Sequence, residues 1–201
     1  MDLPTLDITR DYPGFSERLA SIYAAMDDAY NAIADRYGFT CDGCQDNCCR
    51  TRFYNHTYLE YYFLMAGMAH LPEDRRREIG RDALTVCRQV AEDEACGRTP
   101  RRMCPLNTAG RCGLHSHRLM ICRLHGVPHE LRFPDGTVSR GQGCPVFTGR
   151  FPDRDYIPFD RTPFYRKLSA LEQEFRKAAG LDRKFKMTIA QMIAHDPDIQ
   201  P

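Results

Sequence analysis

The stretch from Cys41 to Cys49, Cys-Asp-Gly-Cys-Gln-Asp-Asn-Cys-Cys, places four thiols within nine residues. An apolar core has no need of such a density, and it restricts how the surrounding chain can fold. Asp42, Gly43, Asp46 and Asn47 inside it are turn formers, which let a backbone curl until its sulfurs converge. Thiolates are soft ligands suited to zinc, copper(I) or iron–sulfur clusters. Four more cysteines, Cys104, Cys112, Cys122 and Cys144, lie downstream beside Gly, Pro or Arg and outside any periodic apolar pattern. Short-spaced thiols from distant segments commonly close one site between them. Cys41, Cys44, Cys48, Cys49, Cys104, Cys112, Cys122 and Cys144 are therefore the candidate metal ligands.

Ten cysteines in 201 residues could instead make a disulfide scaffold, but that requires an oxidising compartment and is usual in shorter chains. The N-terminal sequence MDLPTLDITRDYPGF lacks the basic start, apolar run and small-residue cleavage site of a signal peptide. Reduced thiols in a cytoplasmic protein are the expectation. The richest apolar run, YLEYYFLMAGMAHL, carries Glu60 and ends at Pro72, so no membrane span is expected. A formal net charge of +1 disfavours nucleic acid as a partner.

The rest of the chain reads as helix. Leu19, Ile22, Met26, Ala29, Ile33 and Tyr37 recur at three- and four-residue steps over 16–37, with Gly38 placed to stop the helix. Thr57 with Glu60 three residues on predicts a reciprocal capping box, starting a second helix with Leu59, Tyr62, Phe63 and Ala66 inward. The positive end of that helix would lie near the cysteines and favour an anionic centre. A third helix runs from Pro72 to about Ala95, with Cys87 on its apolar stripe as a small buried hydrophobe. Cys96, at its end, stays outside the ligand set. Residues 97–125 show no helix period, and HELRFPDGTVSR predicts a hairpin that returns Cys144 toward the other thiols. A fourth helix over 162–179, stopped at Gly180, and a short capped helix begun by Thr188-Ile-Ala-Gln191 complete the set. The expectation is a mainly α single domain: about five helices around a loop-dominated metal centre at 39–146, one small β-hairpin, and C-terminal helices 162–195 packed on it.

Arginine accompanies the thiols: Arg50, Arg102, Arg111, Arg118, Arg123 and Arg140 each lie close to a motif cysteine. A four-thiolate site around Zn²⁺ or a [4Fe–4S]²⁺ core carries a charge of about −2, and guanidinium groups are its natural outer partners. Arg118 and Arg123, flanking Cys122, are assigned that role. His115, His117, His125 and His129 could replace a thiol or, with Glu130, form a mixed nitrogen–oxygen iron site.

The order Cys41-x-x-Cys44-x-x-x-Cys48-Cys49, Cys104-Pro-Leu, Gly110-Arg-Cys112-x-Leu114 and Arg118-x-x-x-Cys122-Arg123 resembles the zinc- or iron-chelating cysteine-cluster family known as CxxCxxCC. The resemblance covers roughly 39–146. The chain departs from the family pattern in having His115 for a tyrosine, Leu119 for a proline, and three residues rather than two before the cysteine pair. The resemblance implies chelation of zinc or iron, as Zn²⁺ or an iron–sulfur cluster, without fixing an activity. A related cysteine pattern occurs in flagellin lysine methylases, which keeps a metalloenzyme open. No glycine-rich S-adenosylmethionine loop accompanies it here. Metal handling or electron transfer leads, with a metalloenzyme or a zinc-stapled interaction module as alternatives. A thiol–disulfide oxidoreductase is the weakest, since Cys41-x-x-Cys44 lacks a strand-to-helix context.

Overall fold

The computed structural model describes residues 3–41 and 48–196. Asp7 caps a first turn, α1 (Ile8–Asp11), by accepting from the amides of Thr9 and Arg10. α2 (Pro13–Tyr37) follows, starting earlier than its apolar stripe suggests because Pro13 suits the first turn. Gly38, at φ 65°, ends it in the left-handed conformation that glycine tolerates. α3 (Tyr58–Ala69), α4 (Glu73–Ala95), the short α5 (Met120–Leu124) and α6 (Pro145–Arg150), then α7 (Thr162–Ala179) and α8 (Ile189–His195) complete the helices among the described residues. The protein is mainly α, with three short helices, α1, α5 and α6, beyond the five expected.

The expected hairpin is present as β3 (His129–Arg132) paired antiparallel with β4 (Val138–Gly141). An additional two-residue ladder joins β1 (Asn107–Thr108) to β2 (Arg111–Cys112) inside the stretch read as irregular. No helix among the described residues is long and apolar enough to cross a membrane.

α2 packs against α1, α3, α5 and α7, and α8 lies along α4. The contiguous core includes Leu19, Tyr23 and Met26 of α2, Leu59 and Leu64 of α3, and Leu171 and Phe175 of α7. α3 is buried nearly all round, where a single inward face was expected.

Two buried carboxylates fix the start of α3 and of α5. Thr57 caps α3 through its hydroxyl, but Glu60 does not return the bond to Thr57's amide. Its carboxylate instead accepts from the amide of Met120 at 2.9 Å and from the Tyr23 hydroxyl at 3.4 Å. Glu172 of α7 accepts from the amides of Tyr58 and Leu59 at 2.9 and 3.1 Å. The positive end of α3 therefore faces a carboxylate of its own, and the expected electrostatic support for the cysteines is not there. Buried amides take the nearest fixed acceptor, and α7 supplies it.

Candidate metal centre

Backbone and side-chain hydrogen bonds position the cysteine segments. A single 3₁₀ turn, Cys48–Arg50, follows the N-terminal run, and the Cys49 carbonyl accepts from the amide of Cys104 at 2.8 Å. The Cys104 carbonyl accepts from Asn107, which pairs across the short ladder with Cys112. Gly113 donates to Leu106 at 2.7 Å and closes that loop. Cys122 rides on α5, whose first amide is the one held by Glu60. Cys144 caps α6, its Sγ accepting from the Phe147 amide at 3.3 Å, and its own amide donates to the Gly126 carbonyl at 2.8 Å.

The outcome is one cleft of about 500 Å³ lined by Cys41, Cys48, Cys49, Cys104, Cys112, Cys122 and Cys144. Cys44 and the turn formers around it fall in 42–47, outside the described residues. Arg50, Arg52, Arg102, Arg111 and Arg118 share the walls, and no carboxylate does among the described residues. A wall carrying this many arginines favours an anionic occupant or an anionic centre.

The thiols respond to one another and to burial. Desolvation pushes Cys122 up to about 12, with Cys112 and Cys49 adding to the rise. Cys104 and Cys112 are raised for the same first reason. Cys49 is pulled down to about 6 by a hydrogen bond from Cys48, helped by Asn107 and Arg118, while Cys48 rises in step. Several thiols this close cannot all ionise without a cation beside them. Among the described residues no three His, Cys, Asp or Glu side chains are arranged to hold a metal ion. By chemistry the donor set fits a soft metal; the sulfurs share a cleft without closing on one point.

No family model matches the chain, and no curated protein and no solved structure proves similar to it.

The two arginines assigned to the centre stand differently. Arg118 lines the cleft and reaches Asp27 at 3.7 Å. Arg123 is 7% exposed and turns inward. It pairs with Asp27, donates to the carbonyls of Arg118 and Ser116 at 2.8 and 2.7 Å, and stacks its guanidinium 4.4 Å from the centre of the Tyr23 ring. Tyr23, Asp27 and Tyr30, at four- and three-residue steps on α2, border its apolar stripe on the side packed against α5. The apolar periodicity passed over them, and this polar–aromatic spacing beside the apolar stripe was the available signal.

The histidines divide as well. His115, His117 and His125 line the cleft. His117 lies against α3 where a side chain at Gly67 would meet its ring at 2.5 Å, and its ring centre is 4.8 Å from that of Phe63. Burial lowers His125 to about 4, which keeps its imidazole neutral beside Phe53. His129 sits outside the cleft against Gly141. Glu130 is held by Arg132 at 2.5 Å and Tyr156 at 3.4 Å, away from the cleft wall. Cys87 lies half-buried between α4 and α8, beside Met187 and His195, and Cys96 is exposed.

Tyr30, which the sequence did not single out, reaches Cys41 with its hydroxyl 3.6 Å from Sγ. The same hydroxyl fills the space over Gly126, where a Cβ would meet it at 2.5 Å. Gly126 has φ +131°, which only glycine adopts readily. Arg161, 2% exposed, grips the same segment through the carbonyls of Leu124 and Val127.

Proposed function

We propose that this chain is a metal-binding protein that holds zinc or an iron–sulfur cluster through its clustered thiolates, in metal handling or electron transfer. The observation that supports it most is the gathering of motif thiols from separate segments into one cleft. Soft sulfur donors of this kind select zinc, copper(I) or iron–sulfur chemistry over hard cations. The ordered cysteine motifs, resembling the CxxCxxCC family, agree with that choice. When bound, zinc would supply a fixed structural charge and a cluster would supply one-electron redox chemistry. The residues themselves would neutralise the centre with Arg118 and keep its surroundings partly dry. Thiols kept reduced would accord with a cytoplasmic setting and a metal ion or cluster as the partner.

A second reading is a metalloenzyme, and one feature favours it. Leu64, Val86, Val90 and Ile189 form an apolar wall to the same cleft, room of the kind that small-molecule sites use. Anaerobic purification of the full chain, followed by zinc, iron and acid-labile sulfide analysis and a visible spectrum, tests the primary reading. About one or two equivalents of zinc, or iron with matching sulfide, is the expected result. Metal-free protein whose motif cysteines form stoichiometric disulfides would overturn it.

A further inference from the structure

The cleft has room that an ion does not need. A metal ion takes about as much space as a water molecule, roughly 30 Å³, and the cleft holds about 500 Å³. Much of the wall is aliphatic: Leu64 from α3, Val86 and Val90 from α4, and Ile189 and Ala190 from α8. Val86 and Val90 stand four residues apart on α4 and so share one face. α8 packs along the same helix, which puts a second apolar surface beside that face.

A charge is fixed next to it. Asp93, three residues past Val90 and about 4.5 Å further along the helix axis, is buried and accepts from Arg102 through Nε at 2.6 Å and Nη2 at 2.7 Å. Arg98 donates to the same carboxylate at 3.0 Å, so two guanidiniums share one acid and the three groups keep a net positive charge. The two bonds to Asp93 use two of the five N–H groups of Arg102. They hold its planar fork in one orientation and leave the other edge able to donate, and Arg102 lines the cleft. A guanidinium fixed from behind is suited to grip a carboxylate.

We propose that this part of the cleft binds a small organic carboxylate with an aliphatic body, its chain against Val86, Val90 and Ile189 and its carboxylate on Arg102. The volume lies in the range of small-molecule sites, which combine an apolar lining with a few fixed polar groups. The inference rests on the metalloenzyme reading for its chemistry and names the class of molecule that would enter beside the thiols.

Octanoate, 1-octanol and octylammonium serve as probes, with one chain length and three head groups. Each is titrated into the full-length chain, as purified and after metal removal, and binding is followed by NMR. Octanoate should bind roughly tenfold or more tighter than octanol, the worth of one charge-assisted hydrogen bond, and octylammonium more weakly than either. Intermolecular NOEs should join the octanoate chain to the methyls of Val86 and Val90. Arg102→Gln, in which Arg98 still pairs with Asp93, should erase the preference for octanoate over octanol, and Arg102→Lys should keep part of it. A purely structural Arg102 would leave that preference unchanged, which would overturn the proposal. Val90→Phe, by filling the space, should abolish binding, while Leu84→Phe, at an exposed position of α4, should not. No saturable octanoate binding to the unaltered chain, or NOEs to residues outside this wall, would also overturn the proposal. Metal analysis of the same samples keeps the two questions apart. Metal-loaded protein that ignores octanoate refutes the ligand and leaves the metal, whereas octanoate bound by a chain that takes up no metal upholds the ligand site and refutes the metal.

Discussion

The amide of Cys104 donates to the carbonyl of Cys49 at 2.8 Å, so two cysteine segments more than fifty positions apart in sequence are joined backbone to backbone. Thiols on both sides of that bond then share one environment, and the loss of either side should be felt by the whole centre. Cys104→Ser and Cys122→Ser are each expected to lose metal and to lower the melting temperature of the loaded protein, because ligand binding energy is also folding energy. Cys87→Ala, between α4 and α8, should retain metal and cost about 1 kcal/mol or less. Metal content per chain after gel filtration, with thermal melts, distinguishes them; metal loss in the Cys87 variant alone would contradict the partition.

Arg118 and Arg123 should separate in the same kind of measurement. Arg123 uses its guanidinium on Asp27, two carbonyls and the Tyr23 ring. Removing a partner from a buried charged network costs roughly 3–5 kcal/mol, so Arg123→Met should unfold readily and Asp27→Asn should follow it in direction. Arg118→Met should melt close to wild type without metal but release zinc to a chelator faster. Arg118→Lys should fall between, keeping charge but not the planar fork of donors.

Glu172 gives a pH signature. Desolvation raises its carboxyl to about 7 against the pull of the Tyr58 and Leu59 amides. The folded protein thus holds a proton that the unfolded chain releases near the ordinary value of 4.5. Stability from this group is complete below about pH 4.5 and is lost as pH rises through about 7, by at most about 3 kcal/mol. In Glu172→Gln that decline should disappear, leaving a flatter profile of denaturation midpoint between pH 5 and about 8. An equal decline in the variant would remove Glu172 as its source.

Gly126 joins the Tyr30–Cys41 contact to Cys144. At φ +131°, an alanine there is strained and its Cβ would collide with the Tyr30 hydroxyl. Gly126→Ala should cost about 1–3 kcal/mol from backbone strain alone. It should also make Cys144 more accessible to a thiol reagent, since the amide bond that seats it would be disturbed.

Much of the helical frame was legible because local chemistry and tertiary demand agree there. Gly38 and Gly180 stop α2 and α7 where the apolar stripes end, and Thr188 with Gln191 makes the reciprocal cap expected of α8. Thr57 and Glu60 carry the same spacing, yet Glu60 bonds to Met120 and Tyr23. A buried carboxylate is recruited by whichever amide the fold brings to it, and spacing along one helix does not report that. The thiols of the cleft were legible by type and order. Their grouping was not, because it depends on the Cys49–Cys104 bond, on Asp27 and on Tyr30, which are contacts across the fold.

X-ray absorption at the metal edge of anaerobically purified full-length protein tests the central claim most directly, because it reads the ligand atoms themselves. Thiolate ligation predicts a first shell dominated by sulfur, at about 2.3 Å for zinc. A first shell of nitrogen and oxygen only, near 2.0–2.1 Å, would contradict it.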